Sequence, residues 1–253
     1  MKSNNTLKAI KQNRREFLRA AGAAAATIAF GSLPFTAHAQ TGAAAKMKIG
    51  IIGSGRVGGA VGGAWVKAGH EVMFSSLNLE DDKKLAASLG SGARAGTPRE
   101  AAAFGSVLLV SVPYKALPSV GKDLGELIKG KIIIDTSNPI VGRDGDMAVA
   151  AREKGAGIAS VEFLPGARIV RAFNAIGYAK MAEAASKKER VGMPMAGDDQ
   201  SAIATASSLI REVGYEPVLV GTLAAMGKYL IPGTPLGGEH SPDEIRKIAA
   251  TLK

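Results

Sequence analysis

The chain has 253 residues, 32 Lys and Arg against 22 Asp and Glu, and a formal net charge of +10. It has no cysteine, which excludes disulfides, thiolate metal sites and cysteine nucleophiles, and its three histidines are too few to predict a metal cluster or a hydrolytic triad. Aromatics make up 5% of the residues and the basic residues are not gathered into tracts with aromatics between them, so no nucleic-acid partner is expected.

Much of the positive charge lies at the start. Asn13-Arg14-Arg15-Glu16-Phe17-Leu18-Arg19 precedes an Ala- and Gly-rich apolar run from Ala20 to Phe35, and Ala37-His38-Ala39 precedes Gln40. A paired arginine, a Phe-Leu step, a weakly hydrophobic stretch and an A-x-A site are the parts of a twin-arginine export signal over 1–39, cleaved after Ala39. The alternative, a membrane anchor over 20–35, falls short of the roughly 20 residues a span needs and lacks a stop-transfer pattern, so no stable span is expected after cleavage. The expected mature chain carries 26 basic and 21 acidic residues, a net charge of +5. Its expected partners are the twin-arginine export machinery and a small-molecule redox substrate, and its expected location is the periplasm. Because this route carries folded proteins, a cofactor would be loaded before export.

Lys46-Met47-Lys48-Ile49-Gly50-Ile51-Ile52 is an apolar run fit for a buried parallel strand, and it leads straight into Gly53-Ser54-Gly55-Arg56-Val57-Gly58. This is G-x-G-x-x-G between a strand and a helix predicted to run to about Ala68. The first glycine permits the tight turn, the second lets backbone approach a pyrophosphate, and the third lets the helix pack on the strand. Backbone N–H groups at the helix start then face the phosphates, aided by the helix dipole. Gly59, Gly62 and Gly63 inside that helix each cost about 1 kcal/mol relative to Ala, which implies close packing against the sheet or a dinucleotide. Trp65 is expected in the core, and His70, at the helix-to-strand turn, on the surface.

A second strand, Glu71 to Ser75, is followed by Ser76-Leu77-Asn78, with no carboxylate until Glu80. An acid here would bind both ribose hydroxyls of NAD; hydroxyl and amide donors with no fixed negative charge favour NADP over NAD. Ser75, Ser76 and Arg56 are the candidate 2′-phosphate ligands, while Lys83 and Lys84 read equally as a solvated helix face. A helix over 80–89 and a short strand over 93–95 lead to Thr97-Pro98-Arg99-Glu100, a capped helix start with Pro at its first position. Ser106 to Val112 is a further buried strand, ending at Pro113-Tyr114, and a helix follows to about Lys129. Lys131 to Asp135 is the fifth strand and ends in Thr136-Ser137-Asn138-Pro139. Ligands of an open parallel sheet lie beyond the carboxyl ends of its strands, so Val112, Pro113, Tyr114, Ser137, Asn138 and Pro139 are expected to border the nicotinamide side of one crevice. Asn138-Pro139 reads equally as a plain turn.

Arg168 to Gly177 is a strand entering a polar loop, and Arg190 to Ala196 is another apolar strand. Asp198 and Asp199 open a helix to about Val213, where acids serve as caps, and Glu216 to Val220 is the last strand. The loop over 231–238 reads as a mobile cover for the crevice, and Ser241-Pro242-Asp243-Glu244 is a capping box for a closing helix. There are no internal repeats. Alternating strands and helices predict an α/β, Rossmann-like fold: a doubly wound, mostly parallel sheet with helices on both faces, one domain over 40–221 with a short loop and helix at 222–253.

Taken in order, the GSGRVG loop, the GHEVMFSS strand, the VSVPY turn, DTSNP, VRAFNAIG and the AGDD helix start resemble the NADPH-dependent coenzyme F-420 (8-hydroxy-5-deazaflavin) oxidoreductases and their bacterial homologues, kin to the reductase domain of the six-transmembrane metalloreductases. The resemblance covers residues 47 to about 230. It implies that Ser75 and Ser76 hold the 2′-phosphate and that the Val112-Pro113 and Asn138-Pro139 turns border the nicotinamide. The expected activity is hydride transfer between NADP(H) and a deazaflavin, a flavin or another small redox acceptor, with Asn138 and Asn174 positioning the rings. Such a transfer requires stacking and exclusion of water more than an acid or base, which agrees with the lack of a catalytic His, Cys or Lys in the motifs. Two positions depart from the family: Leu77 stands where an arginine is common, and Phe173-Asn174 where the deazaflavin enzymes tend to differ. A pyrroline-carboxylate or hydroxyacid reductase shares the opening half but needs a long helical C-terminal domain that the residues after Val220 cannot supply. A periplasmic NADP-binding sensor or scaffold without turnover also fits, and a homodimer is compatible with either.

Overall fold

The computed structural model describes residues 46–181, 183 and 189–252; the export signal expected over 1–39 lies outside them. Eight strands form one sheet: β1 (Lys48–Ile52), β2 (Glu71–Ser75), β3 (Ala93–Ala95), β4 (Val107–Val110), β5 (Ile132–Asp135), β6 (Arg168–Arg171), β7 (Gly192–Gly197) and β8 (Glu216–Gly221). Their spatial order is β3-β2-β1-β4-β5-β6-β7-β8. Every neighbouring pair is parallel except β6 and β7. The order turns back on itself between β1 and β4, and that reversal opens a crevice beyond their carboxyl ends. The fold is the α/β, Rossmann-like, mostly parallel one expected.

Strand residues alternate between two apolar cores. Ile49, Ile51, Leu109 and Ile134 face one core, with Trp65 and Phe74, while Ile52, Leu108, Val110 and Ile133 face the other, with Leu117 and Leu124. A strand buried on both faces reads as an unbroken apolar run, which is why β4 and β5 were plain in the sequence. Helices α1 (Arg56–Lys67), α2 (Leu79–Leu89), α3 (Pro98–Phe104) and α4 (Leu117–Ile128) follow successive strands, with a 3₁₀ turn over Tyr114–Ala116 before α4. In α3 the Thr97 side chain caps Glu100 N and Glu100 caps Thr97 N in return, as the sequence predicts.

Three short helices not anticipated from sequence, α5 (Val141–Asp144), α6 (Asp146–Lys154) and α7 (Ala156–Phe163), cross from β5 to β6. Their apolar residues mark no single face: α7 reads AGIASVEF, with only one charge. The rest comprises α8 (Tyr178–Met181), α9 (Gln200–Val213), α10 (Leu223–Met226) with a 3₁₀ turn over Gly227–Tyr229, and α11 (Pro242–Thr251). Helix α11 lies on β7 and β8 and buries Ile245 and Ala249 in the second core.

Two expectations need correction. His70 is not a surface residue: it is 2% exposed, its Nδ1 accepts from Met47 N at 3.0 Å and its Nε2 meets Glu212 Oε2 at 2.6 Å. An Nδ1 that accepts leaves the proton on Nε2, so the ring is a structural bridge between β1 and α9. The segment over 231–238 is no free cover either. Leu230, Ile231 and Leu236 are buried, Thr234 Oγ1 donates to Ile231 O at 2.8 Å, and Gly238 N donates to Ala175 O at 2.9 Å.

Candidate functional site

Beyond the carboxyl ends of β1, β2 and β4 lies a pocket of about 620 Å³, lined among others by Ile52, Gly53, Gly55, Ser76, Val112 and Pro113. The glycine loop forms its floor. Gly53 has φ +98°, and a Cβ there would come within 2.3 Å of Ser111 O; a Cβ on Gly58 would come within 2.1 Å of Gly53 O. Either clash is with backbone, so the turn and the seat of α1 both demand glycine. Gly55, at the N-cap of α1, is exposed and a Cβ there would meet nothing within 4 Å. Steric crowding by the protein therefore explains two of the three glycines, and open approach to the helix start explains the third, as a pyrophosphate-binding loop requires. Within α1, Gly62 has its compensation: a Cβ there would lie 2.6 Å from the Phe74 ring, whereas one on Gly63 would make only an ordinary contact with Leu89 at 3.4 Å. Val57 packs against the first core, and Arg56 extends outward, its Nη1 2.9 Å from Tyr178 Oη and its guanidinium 4.9 Å from that ring's centre.

At the ribose end the expected donors are engaged by the protein itself. Ser75 is fully buried and donates to Ile51 O at 2.6 Å. Ser76 donates to Asp82 Oδ2 at 2.9 Å and Ser54 donates to Asp82 Oδ1. The expectation of no fixed negative charge here fails: Asp82, in the first turn of α2, is folded back under the two serines and is 2% exposed. The signal that could have located Asp82 was helical spacing, which turns the fourth residue of α2 toward the loop that precedes it.

The carboxyl ends of β5 and β6, where the sequence leads one to expect the ring, are built differently, from side chains over a buried ion pair. Arg171, last residue of β6, and Asp135, last residue of β5, are both fully buried, with Nη1 2.5 Å from Oδ2. Asp135 also accepts from Ser137 N at 2.8 Å and Ser160 Oγ at 2.7 Å. Arg171 Nη2 donates to Ser137 O at 3.0 Å and lies 3.5 Å from Asn138 Oδ1. Asn138 Nδ2 donates to Asn174 O at 2.8 Å, and Asn174 Nδ2 to Ser137 O at 3.4 Å. The pair of asparagines is thus brought together, and Asn138 is more than a turn former. Phe173 holds the loop: it has φ +63°, a conformation that costs a non-glycine residue on the order of 1–3 kcal/mol, and it is clamped edge-on by Trp65 and Tyr215, each at 6.4 Å.

Of the residues expected to border the crevice, Val112 and Pro113 line the pocket, whereas Ser137, Asn138 and Pro139 are not in its lining; Pro139 is buried with its carbonyl accepting from Arg152 Nε at 2.8 Å. Tyr114 does not border the crevice with its side chain, contrary to expectation. It is fully buried, its hydroxyl donates to Ala156 O at 2.9 Å, and burial pushes its pKa up to about 12. Arg171, Asp135 and Ser160 escaped sequence reasoning because a charge at the end of a strand carries no sign of its partner 36 residues away. Asn174 Oδ1 and Ser137 Oγ are buried at this end without a hydrogen-bond partner among the described residues.

Fold and crevice together define a Rossmann-type dinucleotide-binding protein. Residues 48–139 match the family described as NADP oxidoreductase, coenzyme F420-dependent. A search of curated proteins found no match. Among solved structures, the chain is similar to hypothetical protein SMa0349 of Sinorhizobium meliloti, with 25% identity and a TM-score of 0.66 over 76% of this chain and 93% of that one. It shares its fold with a protein of Arthrobacter sp. FB24 proposed to be an F420-dependent NADP reductase, at 20% identity and a TM-score of 0.63, over 73% and 90% of the two chains. It also shares the fold of a 3-hydroxyisobutyrate dehydrogenase of Mycobacterium tuberculosis, at 19% identity and a TM-score of 0.53, but spans 57% of that chain and 72% of its own is covered.

Proposed function

We propose that this protein is an oxidoreductase that passes hydride between NADP(H) and a deazaflavin, a flavin or another small redox acceptor. The observation that carries the reading is the pocket at the sheet's reversal point, floored by a glycine loop that leaves the start of α1 open to a phosphate and walled by Val112 and Pro113. The nicotinamide would supply the hydride. The chain's own part is to hold and orient: Gly53, Gly55 and Gly58 admit the pyrophosphate to the start of α1, Val112 and Pro113 wall the pocket, and Asn138 and Asn174 set the plane of the ring. The pocket lining includes Lys115 and no histidine, and hydride transfer between stacked rings needs neither. The Arg14-Arg15 motif and the Ala37–Ala39 site support export to the periplasm with the nucleotide already bound.

The test is transfer of label from stereospecifically deuterated NADPH to a panel of deazaflavin and flavin acceptors. Deuterium recovered in a reduced acceptor is the expected result. Nucleotide binding without transfer to any acceptor would leave a binding module in place of an enzyme.

A further inference from the structure

We infer that the ribose end of the crevice is built for a free 2′-hydroxyl, with Asp82 as the specificity-determining residue, so that NAD(H) binds within threefold of NADP(H), or more tightly. This rests on reading the crevice as a dinucleotide site. A 2′-phosphate requires donors, since all its oxygens accept; a 2′-hydroxyl can donate. Each serine hydroxyl at this end already donates to a protein acceptor, and Asn78 Nδ2 commits one of its two hydrogens. Ser75 Oγ donates to Ile51 O at 2.6 Å, Ser54 Oγ to Asp82 Oδ1, Ser76 Oγ to Asp82 Oδ2 at 2.9 Å, and Asn78 Nδ2 to Asp81 Oδ2 at 2.6 Å. Ser76 Oγ also accepts from Asn78 N at 3.1 Å and has a longer, 3.3 Å approach to Asn78 O. A carboxylate cannot donate, so Asp82 fixes the direction of both of its serine bonds and turns their hydrogens inward. What Ser54 and Ser76 present to a ribose is lone pairs.

Charge points the same way. Asp82 is 2% exposed and, among the described residues, no basic side chain is bonded to it. Glu80 and Asp81 share its helical turn. Lys83 pairs with Glu80 at 2.8 Å, Lys84 with Asp81 at 3.5 Å, and Arg56 with Tyr178, while Lys115 lines the pocket from the turn after β4. Leu77, fully exposed at the pocket's lip, offers a phosphate nothing. A 2′-phosphate would bring about two negative charges beside this buried carboxylate.

Binding of NADH, NADPH, NAD and NADP to the purified protein, measured by calorimetry with no acceptor present, decides the matter. NADH is expected to bind within threefold of NADPH or more tightly. Asp82→Asn, which removes the charge and releases serine hydrogens, should move the NADPH-to-NADH affinity ratio by more than threefold, on the order of tenfold, toward NADPH. Asp82→Ala, with its fold checked by circular dichroism, provides a second reading; if neither variant folds, the wild-type ratio alone decides. A wild-type preference for NADPH above threefold, or a smaller shift in a folded variant, overturns the inference and leaves the dinucleotide site standing. Failure to bind any of the four overturns both.

Discussion

The two ends of the crevice are made of different materials. At the glycine-loop end the working surface is backbone: a turn at Gly53 under Ser111 O, an open approach at Gly55 and a helix seated by Gly58 against Gly53 O. At the ring end it is side chains, Asn138 and Asn174, held by Asp135 on β5, Arg171 on β6 and Ser160 on α7. A backbone device fails by local crowding. A side-chain device resting on a buried ion pair fails by losing one partner, because the remaining charge is left uncompensated away from water.

The largest expected effect tests the second kind of failure. Arg171→Leu should cost about 3–5 kcal/mol in denaturant midpoint experiments, since Asp135 stays buried with no counter-charge. A loss under about 1 kcal/mol would mean that the ring end does not rest on this pair. Next, the glycine loop should separate stability from binding. Gly58→Ala should destabilise by about 1–3 kcal/mol through its contact with Gly53 O. Gly55→Ala should stay within about 0.5 kcal/mol of wild type yet weaken nucleotide binding, its methyl standing between the helix start and the pyrophosphate. Equal losses of stability in the two variants would break the distinction.

At the ring end, Asn174→Ala should lower kcat for an identified acceptor about tenfold or more while changing nucleotide affinity less, because misplacing a ring penalises transfer more than binding. An affinity loss larger than the kcat loss would make Asn174 a binding residue instead. A smaller effect concerns the pH limits of the fold. Burial pushes Tyr114 and Tyr215 up to about 12, so both favour the neutral phenol when folded. The stability they contribute is complete below about pH 10 and is lost as pH rises toward 12. Tyr114→Phe should therefore flatten the alkaline fall in melting temperature, although it sacrifices the bond to Ala156 O at neutral pH. The smallest effect lies on the exposed cap of α3. Bonds from the Thr97 backbone N–H and then its hydroxyl lower the Glu100 pKa, so its contribution is present above about pH 4 and is lost on acidification. Glu100→Gln should make the acid limb of a pH–stability curve slightly shallower, and an unchanged limb would mean the cap contributes no proton-linked stability.

What could be read without coordinates depended on the range over which each signal acts. The fold, the glycine loop and the caps at Thr97, Asp199 and Ser241 were legible, because each is set by apolar periodicity or by residues within a few positions of one another. The burial of Tyr114 and His70 was not, since an aromatic or a histidine at an element's end looks the same facing in or out. Nor was the bond between Asn138 and Asn174, which only the pairing of β5 with β6 creates.

The sequence by itself thus determined the doubly wound sheet, the place of the crevice and the backbone cradle for phosphates, all consequences of local pattern acting through the twist and handedness of strand and helix. Tertiary structure alone decided which polar groups face the ligand and which face each other. Ser75, Ser76 and Asp82 carry the same atoms in either case, but the direction of their hydrogen bonds exists only once α2 has folded its first turn back onto the glycine loop.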